Sequence, residues 1–409
     1  MKNILVISRS PLDRDPRVYK QILFLKEQGK LHVSTVGTRP SGLEDDFLPF
    51  CKPSASAKKS LWRNFSVPLL KKISGSDELF YALRRLRQAF KLKFKRYDQV
   101  YWSQYWVKET YAMLCKLDKA FDLIIANDIP VLPLSLRIAE KHNARVYLDA
   151  HEYEPLHYNH PRFIFFFRDY WYSICKRYLP KVDYMTTVCE GIAHEYSKNF
   201  GVRCEVMMNL PFTEKIEPVV RGDGKIRIIH HGLAAKGRRI ENMIALMKHL
   251  DSRFELDFMM LGMDSKYGQY LKRISCSNRR IRFLPTVPMR DIVKTISSYD
   301  IGLYMLPPNI FNQRMSLPNK IFEYIQARLG VAIWPSPEMV KIINRWQNGV
   351  YSNEFDIKQM AAVLNRLTQE DIVRMKGRSH MAAQELNSEK TRMQLLNIVD
   401  SLLAQGKPQ

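Results

Sequence analysis

Short apolar strands alternate with helical patterns along this chain, and this alternation limits its fold more than any other feature. A strand over 4–7 leads into a helix that begins at Asp15-Pro16 and ends at Gly29. The start is predicted there because an acidic N-cap followed by proline in the first turn is a typical helix start. A second strand follows over 31–36. Such alternation predicts a parallel sheet with helices on both faces.

Further strands are expected in two series. They are expected at 123–125, 146–148, 184–188 and 206–208 in the first series, and at 226–230, 256–261, 281–284, 301–305 and 331–334 in the second. Between the series, residues 209–224 are rich in Pro, Gly and charged residues, which is typical of an interdomain linker. At 409 residues the chain is also too long for one compact core.

We therefore predict two doubly wound, Rossmann-like α/β domains that face a cleft. The predicted domains cover 1–215 and 216–409, and the first carries a basic insertion at about 52–98. The polar end of the chain, from about residue 370, is predicted to be helical and could pack back on either domain.

The net charge of +23 is unevenly distributed. Between Lys52 and Asp98 there are thirteen Lys and Arg residues against three Asp and Glu residues, so this segment supplies close to half of the excess. A surface this basic attracts polyanions, which include nucleic acid, acidic lipid and phosphorylated substrates.

The six cysteines show neither C-x-x-C spacing nor a paired pattern, which argues against a zinc site and a disulfide framework. Reduced thiols in the cytoplasm are the simplest explanation. No apolar run approaches the roughly 20 residues that span a bilayer. We expect a cytoplasmic protein that is soluble or attached to the inner face of the cell membrane.

Polar residues follow several strands of the first series. His151 and Glu152 follow the strand ending at residue 148, Asp128 follows the strand over 123–126, and Glu190 follows the strand over 184–188. Ligands of doubly wound sheets bind beyond the carboxyl ends of the strands, so these side chains are candidates for a binding site. A lone loop histidine more often has no such role.

In the second series, residues 230–241 connect the first strand to its helix. Gly232 would let the backbone approach a ligand closely, and Lys236, Arg238 and Arg239 suit a diphosphate. The glycines match neither G-x-G-x-x-G nor the P-loop pattern, so NAD-type or ATP binding is weakly supported. The alternative is that the cations are simply solvated at a helix start.

A second polar loop, over 316–320, opens an apolar helix. Asn319 and Lys320 lie at its start and Glu323 lies one turn inside. A helix N-terminus suits a phosphate group, and a carboxylate beside it could accept hydrogen bonds from sugar hydroxyls. An ordinary amphipathic helix is the alternative, but two such clusters in one domain favour a phosphate ester as the ligand.

Several stretches together resemble the GT-B glycosyltransferases of the large retaining group called family 4. The resemblance covers essentially the whole chain, and the combination and order of the stretches are more specific than any one of them. The stretches are Asp15-Pro16-Arg17-Val18, Asp149-Ala150-His151-Glu152, Thr186-Thr187-Val188-Cys189-Glu190-Gly191, 228–240, and Asn319-Lys320-Ile321-Phe322-Glu323-Tyr324.

The resemblance implies a donor site in the second domain, at Gly232, Lys236, Arg238, Asn319, Lys320 and Glu323. Glu323 matches the glutamate that holds the donor ribose in this family, and Arg238 falls where the family usually has a phosphate-binding lysine. His151 matches the histidine that contacts the donor sugar near the reacting carbon, so His151 and Glu323 are the expected catalytic residues. Asp128, Glu152 and Glu190 are expected on the acceptor side.

The implied reaction moves a sugar from a nucleotide diphosphate to an acceptor hydroxyl with retention. UDP is the default carrier because it is the commonest in the family. The acceptor would be a glycan or a lipid-linked glycan in polysaccharide or glycoconjugate assembly. The family needs no metal or other cofactor. The Asp-x-Asp sequence Asp13-Arg14-Asp15 precedes a helix and resembles a helix cap.

Three departures from the family pattern are visible. Leu233 replaces an arginine of the first phosphate loop, so either Lys236 or Arg239 substitutes for it or the phosphate is bound more weakly. Met315 replaces the first glutamate of the family's paired-glutamate motif. Ser8-Arg9-Ser10-Pro11 replaces the glycine-rich loop after the first strand. A binding protein that has lost activity is therefore an alternative.

Two segments suit an anionic membrane surface. One is a basic amphipathic helix predicted over 79–95, and the other is the aromatic run over 162–172. The alternative is that both apolar faces lie against the domain core. No helix-turn-helix, zinc or RNA-binding motif is present, so we predict no nucleic-acid partner. Two rival interpretations remain: a basic nucleic-acid-binding protein, which the charge would support, and a nucleotide-sugar epimerase.

Overall fold

The computed structural model describes residues 1–50, 92 and 94–404. These residues divide into two compact units. The first unit takes in the described residues of 1–188 and 192–206 together with 395–404, and the second takes in 189–191 and 207–394. The predicted limit between the domains, at 215, stays a prediction.

The first unit contains a seven-stranded sheet in the order β3-β2-β1-β4-β5-β6-β7, and every pair of neighbours is parallel. The centre of the sheet is almost wholly apolar and buried, as a parallel sheet covered on both faces requires. The strands are β1 (Lys2–Ser8), β2 (Leu31–Gly37), β3 (Asp46–Pro49), β4 (Leu123–Asn127), β5 (Arg145–Ala150), β6 (Tyr184–Thr187) and β7 (Glu205–Val206).

Helices connect the strands of this sheet. The first helix begins where the sequence predicts, because the Asp15 carboxylate accepts hydrogen bonds from the backbone N–H groups of Arg17 and Val18. The helices described in this part of the chain are Pro16–Lys26, Tyr97–Trp102, Tyr105–Cys115, Leu132–His142, Pro161–Phe166, Arg168–Tyr178 and Glu190–Phe200.

The second unit contains a six-stranded parallel sheet in the order β10-β9-β8-β11-β12-β13. Its strands are β8 (Ile226–Leu233), β9 (Phe254–Leu261), β10 (Ile281–Leu284), β11 (Ile301–Tyr304), β12 (Gly330–Ile333) and β13 (Gly349–Tyr351). Its helices are Glu241–Leu246, Lys266–Ser275, Ile292–Ile296, Phe311–Arg314, Asn319–Gln326, Pro337–Trp346, Ile357–Asn365 and Gln369–Glu385, and Ser388–Ala404 follows them.

The prediction of two Rossmann-like parallel-sheet domains is therefore confirmed. Sequence reasoning missed the two edge strands β3 and β13, since both are short and neither is a continuous buried apolar run. The last strand of the first sheet was predicted over 206–208 but lies at Glu205–Val206.

The predicted linker packs on the second unit. Leu210 is buried, and the Arg328 guanidinium donates a hydrogen bond of 2.8 Å to the carbonyl oxygen of Glu214. The Ser388 backbone N–H donates to the Pro211 carbonyl oxygen at 2.8 Å. Hydrogen bonds of this kind fix the segment although it forms no regular element.

The C-terminal helix Ser388–Ala404 supplies residues to both units. Its end belongs to the first unit, where Lys30 and Asp400 form an ion pair with 3.0 Å between Nζ and Oδ1. The amphipathic helix predicted over 79–95 lies almost wholly outside the described residues. Among the residues that are described, no helix is both long enough and apolar enough to cross a membrane.

Candidate functional site

A close approach between Gly232 and two cations defines the site at the end of β8. The Gly232 φ angle is +133°, and a Cβ atom added there would lie 2.5 Å from Lys320 Cε and 2.8 Å from its Nζ. Arg238 Nη1 would lie 3.4 Å from the same atom. The absent side chain therefore leaves room for the Lys320 amine directly over the backbone and beside Arg238.

These two cations lie close together, and the carboxylate of Glu323 is near Lys320. Neither Lys320 nor Arg238 forms an ion pair within the residues that the structure describes. Burial and the charge of Arg238 lower the pKa of Lys320 to about 8, although Glu323 acts in the opposite direction. Two cations held together in this way bind an anion favourably, because the anion relieves their repulsion.

The helix Asn319–Gln326 adds a further positive end to the same site. Its N-cap is Pro318, and no side chain caps the first turn. The N-terminus of a helix carries partial positive charge and N–H groups that lack intrahelical partners. Asn319 is held in place by Asn209, whose Nδ2 donates to Asn319 Oδ1 at 2.7 Å. The positive end of the helix therefore lies beside the Lys320 side chain, which its first turn carries.

Glu323 lies one turn further along and contacts His231. The distance between His231 Nε2 and Glu323 Oε2 is 3.3 Å. Burial and the charge of Lys320 hold the pKa of His231 well below its usual value, so the imidazole is neutral. The ring of His231 also packs edge-on against Tyr324, with 5.3 Å between centroids. His231 is therefore a neutral neighbour of Glu323, and its Nε2 forms no hydrogen bond among the described residues.

His230 is a second neutral histidine in this site. Its Nδ1 donates to the Leu303 carbonyl oxygen at 2.8 Å, and its ring stacks on Tyr304. Burial and the nearby Lys320 lower its pKa to about 3. Sequence reasoning assigned no role to His230 or His231. Two adjacent histidines at the end of an apolar strand were the signal that could have found them.

The other predicted donor-site cations lie at the surface. Lys236 is exposed in the turn Lys236–Arg238, and Arg239 has a left-handed backbone with φ of 51°. Arg239 Nε lies 3.5 Å from Glu241 Oε1. A role for either residue in place of the family arginine at Leu233 stays a prediction.

Met315 packs against a neighbouring segment of the second unit. A Cβ atom on Gly191 would lie 2.8 Å from Met315 Sδ, and Cys189 Sγ donates to the Met315 carbonyl oxygen at 3.2 Å. Glu190 is in the same segment, and its carboxylate contacts Lys341 Nζ at 2.6 Å. Glu190, predicted on the acceptor side, thus belongs to the second unit.

In the first unit, His151 lies between two carboxylates. The distance from His151 Nδ1 to Asp128 Oδ2 is 3.3 Å, and that from Nε2 to Asp149 Oδ2 is 3.7 Å. The His151 backbone N–H also donates to Asp128 Oδ1 at 2.7 Å. Burial lowers the pKa of His151, but Asp128 and Asp149 outweigh burial and raise it to about 9. The imidazole is therefore protonated at neutral pH.

Asp149 is fixed by a buried network that sequence reasoning did not find. Arg17 binds both of its oxygens, with Nε to Oδ2 at 2.7 Å and Nη2 to Oδ1 at 2.5 Å. Thr186 Oγ1 donates to Asp149 Oδ1 at 2.8 Å. Burial alone would raise the pKa of Asp149, but the charge of Arg17 holds it below its usual value. Arg17 and Asp149 both lie in sequence stretches that resemble the glycosyltransferase family, and this could have indicated that they have a role.

Asp128 and Glu152 complete this group. Asp128 has an unusual backbone with φ of 71°, and burial raises its pKa to about 6, so it is ionised at neutral pH. Glu152 is exposed, and its Oε2 lies 3.2 Å from His157 Nε2. No group of His, Cys, Asp and Glu within the described ranges could hold a metal ion.

The fold matches that of several solved glycosyltransferase-type structures over nearly the full chain. A sucrose-phosphate synthase from Thermosynechococcus elongatus has a TM-score of 0.68 at 13% identity, with 99% of this chain and 100% of that chain covered. Anabaena HepE, solved with UDP and glucose, has a TM-score of 0.64 at 11% identity, covering 98% and 100%. TarM has a TM-score of 0.66 at 11% identity, covering 99% of each chain.

No protein-family model matches the chain, and no curated protein matches it. At 11 to 13% identity the structural matches establish the fold. The chain has the GT-B fold, as the resemblance of its motifs predicted.

Proposed function

We propose that this protein is a glycosyltransferase that transfers a sugar from a UDP-sugar to an acceptor hydroxyl, with retention. The observation that carries the proposal is the pair Lys320 and Arg238 over the Gly232 backbone, beside a helix N-terminus. This arrangement offers a diphosphate two cations and backbone N–H donors at once. UDP is the proposed carrier because HepE was solved with UDP and with UDP-glucose.

The proposed chemistry breaks the bond between the sugar C1 and the diphosphate oxygen. Negative charge develops on the departing diphosphate, and Lys320, Arg238 and the helix N-terminus would stabilise it electrostatically. The new bond joins the acceptor oxygen to C1 on the same face of the sugar. The departing diphosphate oxygen, which lies on that face, would accept the proton that the acceptor hydroxyl loses. Retention is inferred from the family resemblance.

Glu323 is the proposed partner of the donor ribose. Its carboxylate is close to His231 and three residues beyond Lys320, so it could accept hydrogen bonds from ribose hydroxyls when the diphosphate is on the cations. His151 is the proposed contact of the donor sugar. As a protonated imidazole it could donate a hydrogen bond to a sugar oxygen.

The proposed acceptor is a glycan or a lipid-linked glycan of a polysaccharide or glycoconjugate pathway. Asp128 and Glu152 are the proposed acceptor-side residues of the first unit, and Glu190 is a weaker candidate because Lys341 neutralises it. No metal is proposed, since the cations of the chain itself can neutralise a diphosphate.

A thermal-shift series tests the donor site directly. UDP, GDP and their sugars are added to the wild type and to Glu323→Ala, because a ligand that binds the folded state raises its Tm by mass action. UDP and a UDP-sugar should raise the Tm of the wild type, and the shift should shrink in the variant. Equal shifts in both proteins would remove Glu323 from the site.

A second assay tests the reaction. Release of UDP that depends on an added acceptor supports transfer. Free epimerised sugar nucleotide, formed without consumption of an acceptor, would instead identify an epimerase.

A further inference from the structure

Three exposed apolar side chains of the first unit lie within four consecutive residues. Ile164 is 44%, Phe165 is 74% and Phe167 is 41% exposed, and we call these three residues the apolar tip. Buried Phe163 anchors the short helix Pro161–Phe166 that carries the tip. Large apolar side chains concentrated in one exposed segment are typical of an interaction surface.

The helix Arg168–Tyr178 continues from the tip and has two different faces. Tyr170, Ile174 and Tyr178 are buried. Arg168, Tyr172 and Lys176 are exposed at a spacing of four residues, so they form one stripe along the outer face, which we call the basic stripe. The helix is therefore amphipathic in the described structure, with cations and a tyrosine on its outer face.

A cationic groove lies near the far end of the same helix. It has a volume of about 220 Å³, and its lining includes Lys95, Arg96 and Arg177. Asp98 also lines it and lies 3.3 Å from Arg177, so one of the three cations is partly neutralised. The lining of the groove thus carries more positive than negative charge.

We infer that the apolar tip and the basic stripe dock this protein onto an anionic lipid bilayer. Ile164 and Phe165 would enter the boundary between headgroups and acyl chains, while Arg168 and Lys176 would contact lipid phosphates. Tyr172 and Tyr158, also exposed, suit the interface because each has an apolar ring and a polar hydroxyl.

Charge and chemistry favour a membrane over other occupants. The chain carries a net charge of +23, which complements an anionic surface. Sugars bind to aromatic rings but gain little from an aliphatic residue such as Ile164, so a glycan is a poorer fit to the tip. This inference does not depend on the proposed sugar transfer, because binding to lipid is measured without any nucleotide.

Co-sedimentation of the full chain with vesicles tests the inference. Vesicles of phosphatidylcholine alone are compared with vesicles that contain about 30 mol % phosphatidylglycerol, at low and at high salt. We expect binding to the anionic vesicles, weakened by salt. Ile164→Ser/Phe165→Ser should weaken it at least ~10-fold, because two large apolar side chains no longer enter the bilayer.

Matched variants separate this surface from general effects. Val373→Ser/Met381→Ser removes two exposed apolar side chains from the second unit and should bind like the wild type. Arg168→Glu/Lys176→Glu should weaken binding to anionic vesicles more than Lys358→Glu/Arg378→Glu, which makes the same charge change on exposed residues elsewhere. All these side chains are exposed, and far-ultraviolet circular dichroism checks that each variant folds.

Several results would overturn the inference. One is wild-type protein that stays in the supernatant with anionic vesicles at low salt. Another is wild-type affinity in Ile164→Ser/Phe165→Ser. A concentration-dependent dimer that the same double variant abolishes, without lipid binding by the wild type, would assign the tip to a second copy of the chain.

Discussion

His151 in the first unit and His230 in the second both lie at the carboxyl end of a parallel strand, but their surroundings are opposite. Asp128 and Asp149 flank His151 and raise its pKa to about 9. His230 is buried near Lys320, and its pKa falls to about 3. The same residue type is therefore a cation in one unit and neutral in the other, because the charges around it differ.

The difference extends to the whole of each site. Carboxylates dominate around His151, and Arg17 is bound to one of them. Cations dominate around His230, and Lys320 and Arg238 form no ion pair within the described residues, although Glu323 lies near Lys320. The cations of the second unit thus suit an anion such as a diphosphate, whereas those of the first, Arg17 and His151, already have carboxylate partners. The following predictions test this contrast, from the largest expected effect to the smallest.

Removing both cations of the second site should have the largest effect. Lys320→Met/Arg238→Met should weaken UDP binding at least ~100-fold, because each charge-assisted hydrogen bond contributes about 1.5–3 kcal/mol. Isothermal titration calorimetry measures the change. Lys358→Ala, an exposed lysine of the same unit, is the control and should bind normally.

The single variant Lys320→Met should also stabilise the ligand-free protein at pH 7. The folded-state pKa of Lys320, about 8, lies below the ordinary value of 10.5, so folding disfavours its charged form. The free energy of unfolding of the wild type should therefore rise between pH 8 and pH 10.5, and that rise should be smaller in the variant. A lower Tm for Lys320→Met at pH 7 would show that the charged form of Lys320 does not destabilise the folded protein.

Gly232→Ala should weaken UDP binding roughly 10-fold and lower stability by about 1–3 kcal/mol. The φ of +133° is strained for alanine, and the added methyl group would displace the end of Lys320. Calorimetry and urea unfolding measure the two effects. Gly237→Ala is the matched control, since a Cβ atom there meets nothing within 4 Å. Equal behaviour of the two variants would contradict the proposed close approach.

His231→Phe should weaken binding of UDP several-fold, by about 1 kcal/mol, while keeping the edge-on ring contact with Tyr324. The reason is that the Glu323 carboxylate would face an apolar ring in place of a ring nitrogen 3.3 Å away. Binding of inorganic diphosphate should be unchanged, because Glu323 is proposed to hold the ribose. Equal losses for UDP and diphosphate would contradict that assignment.

The different charge states of the two histidines should appear in an NMR titration. His151 should titrate near pH 9 in the wild type and closer to 6.5 in Asp128→Asn, whereas His230 should stay neutral down to about pH 3. His151 therefore contributes stability that is present below pH 6.5 and lost as pH rises through 9. His230 contributes stability that is present above pH 6.5 and lost as pH falls towards 3. An ordinary pKa for His151 would remove the contrast.

The local pattern of residues was enough to predict most of the fold. Buried apolar strands such as β1 and β4 and the cap at Asp15 follow from short-range chemistry, so the alternation of strands and helices was readable. The edge strand β13 was not readable, because only its pairing with β12 makes it a strand.

The sequence was enough to predict which residues belong to the candidate sites but not which of them contact one another. Gly232, Lys320 and Glu323 stood out because of their positions after strands and at a helix start. That Lys320 passes over Gly232, that His231 meets Glu323 and that Arg17 holds Asp149 depends on which strands are neighbours in each sheet. Charge state depends on these long-range neighbours and on burial, so only the folded chain could make His151 a cation and His230 neutral.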